Sequence, residues 1–444
     1  MQETDKLILS SFNNVVSLVL VGLLLIFGYT KSPTFMYATI AGSIIFILKP
    51  KVIFPAMFIA SLSTAVFSIE EGTSIGRYLS LIFIISCVIR LFYEKYRFSS
   101  NNVFLFFVLI TYCFISTING RDGRIDPFVS MAINLLVFFA FQKIKDIDFN
   151  STMLVLCYSA LGGIILMTLL ALKDSSMIMM SRFNMDEEVN ANRIGIMMEQ
   201  LGAICVGYIF FGKKTYLKVL FASGAVMSAW IILMTGSRTA LIALLSAILI
   251  CVLITISLSK GNKRLGSLVT LSIVGIILYL FITYVSGVDS PVLERFQAED
   301  VIERGGTGRI DNGKILMTKI FPDHLLFGSG MGGYNMLELG KSYGLTNLAH
   351  NIIIDSLTEL GIVGFSLFLI ILIPAVKKFF ILFRKSRDYC AIILAVFGAI
   401  VFNGIGEVVF FEKFFWNDLT LLLVAYNYYN TKKRVNELVY KKQI

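Results

Sequence analysis

Arg238-Thr-Ala-Leu-Ile-Ala-Leu-Leu-Ser-Ala-Ile-Leu-Ile-Cys-Val-Leu-Ile-Thr-Ile-Ser-Leu258 decides the fold. Every residue after its opening arginine is uncharged, and a helix of that length crosses a hydrocarbon core of about 30 Å. Comparable apolar runs recur from Ser10 to Tyr429. With 57% hydrophobic residues, 15% charged residues and a mean hydropathy of +0.80, the 444-residue chain has too little polar surface to cover a soluble particle. Barrel strands would be about half as long, and lipid cannot satisfy the edge of an open sheet. The expected fold is therefore an all-α polytopic membrane protein with about 12–14 transmembrane helices and one long extracytoplasmic loop. The predicted spans are 10–28, 34–48, 52–67, 78–93, 101–118, 128–142, 151–172, 194–211, 216–235, 238–258, 266–286, 352–376, 387–406 and 413–429.

An even count puts both termini on one side, and the basic residues say which. Loops on that side, with the flanking turns and the carboxy-terminal tail, hold 24 of the 39 lysines and arginines; six of the other 15 lie in the long loop. The bias predicts cytoplasmic termini. It also accounts for the +10 formal charge through attraction to anionic lipid, with no nucleic-acid partner required. The first run lacks a small-residue cleavage site and reads as a retained span. All six cysteines lie in apolar stretches, which predicts no disulfide, and no zinc spacing or nucleotide-loop lysine occurs. No cofactor is implied.

The chain reads as one integral membrane domain over 1–444, with residues 287–348 as a large outer loop inside it. That loop holds eleven glycines, and a connection of such length is usually functional or disordered. Pro291 to Arg304 and Arg309 to Phe321 have amphipathic spacing that argues for ordered helical pieces.

Ionisable groups at a membrane edge are costly, so they are functional candidates. Arg182, Asn192, Arg193, Arg238, Arg309 and His350 come from four chain segments and are expected to converge on the outer face. After His350, the residues Asn351, Asp355 and Glu359 recur every four positions, a polar stripe expected to line a cavity. A histidine near a helix N-terminus tends to be neutral and able to accept a proton, as a general base must; the competing role is a cap bonded to loop backbone. His324 reads as a loop residue. Arginines gathered near a low-dielectric face suit a phosphate or pyrophosphate, whereas an interfacial arginine that reaches lipid headgroups is the alternative. The glycine-rich run Phe327 to Tyr334 is a candidate for offering backbone amides to an anion or a sugar.

These residues resemble the O-antigen polymerase and ligase superfamily. The resemblance rests on His350-Asn351 followed after nine residues by Gly361-x-x-Gly364, with Glu359 just before. It rests also on Ser237-Arg238-Thr-Ala-Leu241, Gly308-Arg309-Ile310, Pro322 with Phe327-Gly328-x-Gly330, and Asn190-Ala-Asn192. It spans roughly Arg182 to Phe368. It implies a glycosyltransferase acting on an undecaprenyl-pyrophosphate-linked oligosaccharide in the bacterial cytoplasmic (inner) membrane. His350 would activate the acceptor hydroxyl and Arg238 and Arg309 would hold the pyrophosphate, with Arg182, Arg193, Asn192, Glu359 and Asn351 as further substrate-binding candidates. A flippase and a chain-length regulator are the implied protein partners. Phe365 stands where ligases often have threonine and Ile242 where they often have leucine, which favours a polymerase over a ligase. The rival of another class is a lipid-linked glycan flippase or other transporter, whose polar groups belong near the midplane.

Overall fold

The computed structural model describes residues 3–62, 66–70, 73–95, 100–118, 125–141, 149–173, 191–258, 308–385, 388–406 and 412–443. The predicted span 266–286, the stretch Pro291 to Arg304 and Arg182 lie outside the described residues. Helices dominate: α1 (Glu3–Thr30), α2 (Pro33–Ile45), α3 (Pro50–Leu62), α4 (Ile75–Tyr93), α5 (Ser100–Ile118), α6 (Asp126–Phe141) and α7 (Phe149–Lys173) in the first half. The second half holds α8 (Ala191–Phe211), α9 (Thr215–Thr235), α10 (Arg238–Leu258), α11 (Arg309–Ile315), α12 (Tyr334–Gly340), α13 (Ile352–Phe383), α14 (Tyr389–Asn403) and α15 (Lys413–Gln443). Among the described residues seven helices are long and apolar enough to cross a membrane and five more are apolar but shorter. The chain is thus an all-α, multi-pass membrane protein.

Most predicted boundaries hold within a few residues, because where a run stops being apolar is where the helix meets polar surroundings. Three features were not anticipated. A small antiparallel hairpin, β1 (Ser68–Glu70) with β2 (Thr73–Ser74), joins α3 to α4. The last helix continues well past 429. The third is a break in α13, where Gly361 adopts φ 63°, ψ −177°.

The core is helix on helix. Phe54, Phe58, Phe83 and Phe141 knit α3, α4 and α6, with the Phe54 and Phe141 rings stacked 4.6 Å apart. The central helix of the second half is α8, packed against α7, α9, α10 and α14. Small residues allow that closeness: a Cβ on Gly195 would press on Ser237 and Ala240, and one on Gly207 on Ile392. The amino-terminal turns of α8 and α10 are therefore held side by side.

From Arg309 the chain runs through α11, a π-helical turn (Leu316–Ile320) and a 3-10 turn (Phe321–His324), so the predicted amphipathic piece is helical. Leu316, Ile320, Met336, Leu345 and Ala349 form a small core of their own beneath this segment. The segment then enters the break in α13. Ile362 and Val363 N–H donate to the carbonyls of Leu325 and Leu326, at 2.9 and 3.1 Å. In return, Ser329 and Gly330 N–H donate to Thr358 and Glu359 carbonyls, at 2.9 and 3.1 Å. The Tyr112 hydroxyl donates to the Leu360 carbonyl. Backbone groups freed at the break are thus satisfied by the loop, as an apolar setting demands.

Candidate functional site

His350 stands at a corner between the loop and α13, with φ 53°, a left-handed conformation uncommon for a residue other than glycine. The cap of α13 is Asn351, whose Oδ1 accepts from Ile353 and Ile354 N–H at 3.0 and 3.2 Å. The capping role considered for His350 therefore belongs to its neighbour. The corner is pinned from two further directions. Asp355, 1% exposed, accepts Ala349 N–H on Oδ1 (3.2 Å) and Asn351 N–H on Oδ2 (2.8 Å). Ile352 N–H donates to the Gly404 carbonyl (2.8 Å), and Asn351 Nδ2 to the Ile405 carbonyl (3.1 Å).

The turn Gly404-Ile405-Gly406 after α14 also receives Arg309, whose Nη1 donates to the Gly406 carbonyl. A Cβ on Gly406 would meet both Thr239 and that guanidinium, so Arg309 and the residue after Arg238 share one small neighbourhood. Arg238 opens α10 directly after Gly236, the left-handed end of α9 (φ 62°), and Ser237. Arg309 follows Gly308, also left-handed at φ 76°. In both cases glycine supplies the turn that delivers an arginine to the first turn of a helix.

Arg309, Lys314 and Asn351 line a cleft of about 470 Å³ whose other walls include Ile310, Met317, Ala349, Ile354 and Ile405. The lining combines two cations with apolar side chains, and two of its residues flank His350 in sequence.

The other sequence-derived candidates lie variously. Arg193 is exposed in the first turn of α8 and forms a 2.9 Å ion pair with Glu412, at the start of α15. Asn192, half-buried, precedes it. The packing of Gly195 on Ser237 brings this turn to the start of α10. The polar stripe behaves differently from expectation. Asn351 borders the cleft, but Asp355 and Glu359 are each 1% exposed and serve the backbone, Glu359 by accepting Gly332 N–H at 2.9 Å. They point inward because the loop packs over their face of α13. Similarly, the Ser329, Gly330 and Gly332 amides of the glycine-rich run are consumed by α13 rather than offered to a ligand.

A polar layer beneath the corner was missed by sequence reasoning. Glu199, Gln200 and Asp418 are 0% exposed in the bundle. Asn403, the residue before the Gly404 turn, donates through Nδ2 to Glu199 Oε2 at 3.0 Å. Asp418 lies beside Gln200 and close enough to Glu199 for the two carboxyls to interact. Asn417 donates to Ser61 at 2.7 Å. The signal was available: an acidic residue inside an otherwise apolar run.

Fold and site together define a multi-pass helical membrane protein with a cationic, amphiphilic cleft built from the ends of its helices. Residues 223–369 match the family model for O-antigen ligase, so this third of the chain is similar to that family, in line with the resemblance read from its motifs. The matched segment runs from α9 through the first part of α13 and so contains Arg238, Arg309, His350 and the α13 break. No curated protein and no solved structure gives a significant match.

Proposed function

We propose that the protein is a polysaccharide polymerase, a glycosyltransferase that moves a growing undecaprenyl-pyrophosphate-linked glycan onto the next lipid-linked repeat. The reaction takes place at the outer face of the bacterial cytoplasmic membrane, with both termini cytoplasmic. The observation that carries this reading is the cleft, which combines Arg309 and Lys314 with apolar side chains beside the His350 corner. Such a cleft suits an anionic head attached to an apolar chain. In the reaction the acceptor hydroxyl attacks the anomeric carbon and the bond from that carbon to the pyrophosphate oxygen breaks. His350 takes the hydroxyl proton, and Arg238 and Arg309 stabilise charge on the departing pyrophosphate. Asn351 borders the cleft, while Asn192 and Arg193 extend the polar rim towards α8.

Sidedness rests on the excess of lysine and arginine in the loops opposite the cleft. The O-antigen ligase description of the matching family favours one second reading, transfer of the finished glycan to lipid A-core. A transporter is disfavoured because Arg238, Arg309 and His350 gather at helix ends and not at a midplane site open to both sides. The separating experiment is His350→Ala in purified protein. The expected result is loss of glycan transfer with lipid-linked donor still bound; transfer at the wild-type rate would remove His350 from the mechanism.

A further inference from the structure

We propose that Asp355 is the positioning residue for His350, holding the imidazole in its reactive orientation by binding the backbone N–H groups of the residues on either side of it, Ala349 and Asn351. The proposal rests on the reading of His350 as the base. A non-glycine residue is held in the left-handed region only when its surroundings over-determine it. At φ 53° His350 is such a residue, and the N–H groups of its two neighbours, Ala349 and Asn351, donate to the two oxygens of one carboxylate. Asp355 in turn donates its own N–H to the Asn351 carbonyl at 2.9 Å, closing a ring around the corner. Charge-assisted hydrogen bonds of this type are among the strong ones. At 1% exposure Asp355 exchanges none of them readily for water.

The helix start does not depend on this clamp. Asn351 caps Ile353 and Ile354, and Ile352 is tied to Gly404. Losing the clamp should therefore leave α13 in place while the backbone around His350 turns towards ordinary conformations, changing the direction in which the imidazole leaves the corner.

The test is kinetic, in the purified full-length protein with a lipid-linked donor. Asp355→Asn keeps the shape and one acceptor but presents an NH2 to the second amide. It should lower kcat about ten-fold or more, with KM for the donor within about two-fold. In a His350→Ala background, where turnover is lost, the same substitution should change donor affinity by less than about two-fold, because a residue acting only through His350 has nothing left to position. A general structural role would instead weaken donor binding in both backgrounds alike. A wild-type kcat for D355N beside an inactive H350A overturns the clamp and leaves the base reading standing; a wild-type rate for H350A overturns the base reading itself. If D355N does not fold, hydrogen exchange on the wild-type protein decides. Slow exchange of the Ala349 and Asn351 amides is expected, and exchange at the rate of exposed loop amides overturns the proposal.

Discussion

Gly361→Ala gives the most direct energetic probe of the broken helix. At φ 63°, ψ −177° Gly361 occupies a region that is essentially reserved for glycine. A methyl there would also strike the Leu326 carbonyl and the backbone of Gly328. Relief requires the loop to withdraw, which breaks the Ile362–Leu325 and Val363–Leu326 hydrogen bonds. Conformational strain of about 1–3 kcal/mol and two lost hydrogen bonds at about 1 kcal/mol each sum to about 3–5 kcal/mol. Gly344 is the control: it is also left-handed, at φ 82°, but has nothing within 4 Å of an added Cβ. Gly344→Ala should therefore cost only the about 1–2 kcal/mol of the backbone conformation. Denaturant unfolding of the purified protein in lipid nanodiscs measures both. A Gly361→Ala variant no less stable than Gly344→Ala would refute the interlocked loop.

Further expectations concern the cleft and its topology. Arg309→Lys keeps the charge but loses the planar fork, and should cut glycan transfer about ten-fold or more; Arg77, which faces Asp126 at 3.8 Å outside the candidate site, should tolerate lysine in the same assay. Asn351→Ala removes the cap of α13 and should cost about 0.5–2 kcal/mol in the unfolding assay, with Asn351→Asp retaining most of it. Cysteine at exposed Ser342 should react with an impermeant thiol reagent in intact cells, and cysteine at exposed Lys385 only after lysis; the reverse pattern would invert the topology. Ser329 is unsuited to that experiment, being 3% exposed with its hydroxyl on the Thr358 carbonyl.

Much of this was legible in the sequence because hydropathy reports a helix's solvent directly. α10 begins and ends where the run Arg238 to Leu258 does. His350, Arg238 and Arg309 stood out because a polar residue at the edge of such a run has few reasons to be there. The break at Gly361 was hidden, since a lone glycine inside an apolar run is compatible with a continuous helix. What interrupts α13 is a set of hydrogen bonds from residues 325–330, about thirty positions upstream, and no local pattern encodes that pairing. The same packing of the loop explains why Glu359, spaced to line a cavity, instead holds the Gly332 N–H, whereas Asp355 turns to the backbone of its own corner. Glu199 and Asp418 escaped notice because their apolar neighbours dominate any window that contains them.

The central claim is transfer of a lipid-linked glycan at the His350 corner. Its most direct test reconstitutes the purified protein with a defined undecaprenyl-pyrophosphate-linked repeat and resolves the products by length, with and without a lipid A-core acceptor. The account predicts a ladder of lengthening lipid-linked glycan from the repeat alone, absent with His350→Ala. A single adduct formed only when lipid A-core is supplied would assign the ligase reaction instead. Recovery of the unaltered repeat under both conditions, with the lipid-linked donor bound and the protein folded, would contradict glycosyl transfer altogether.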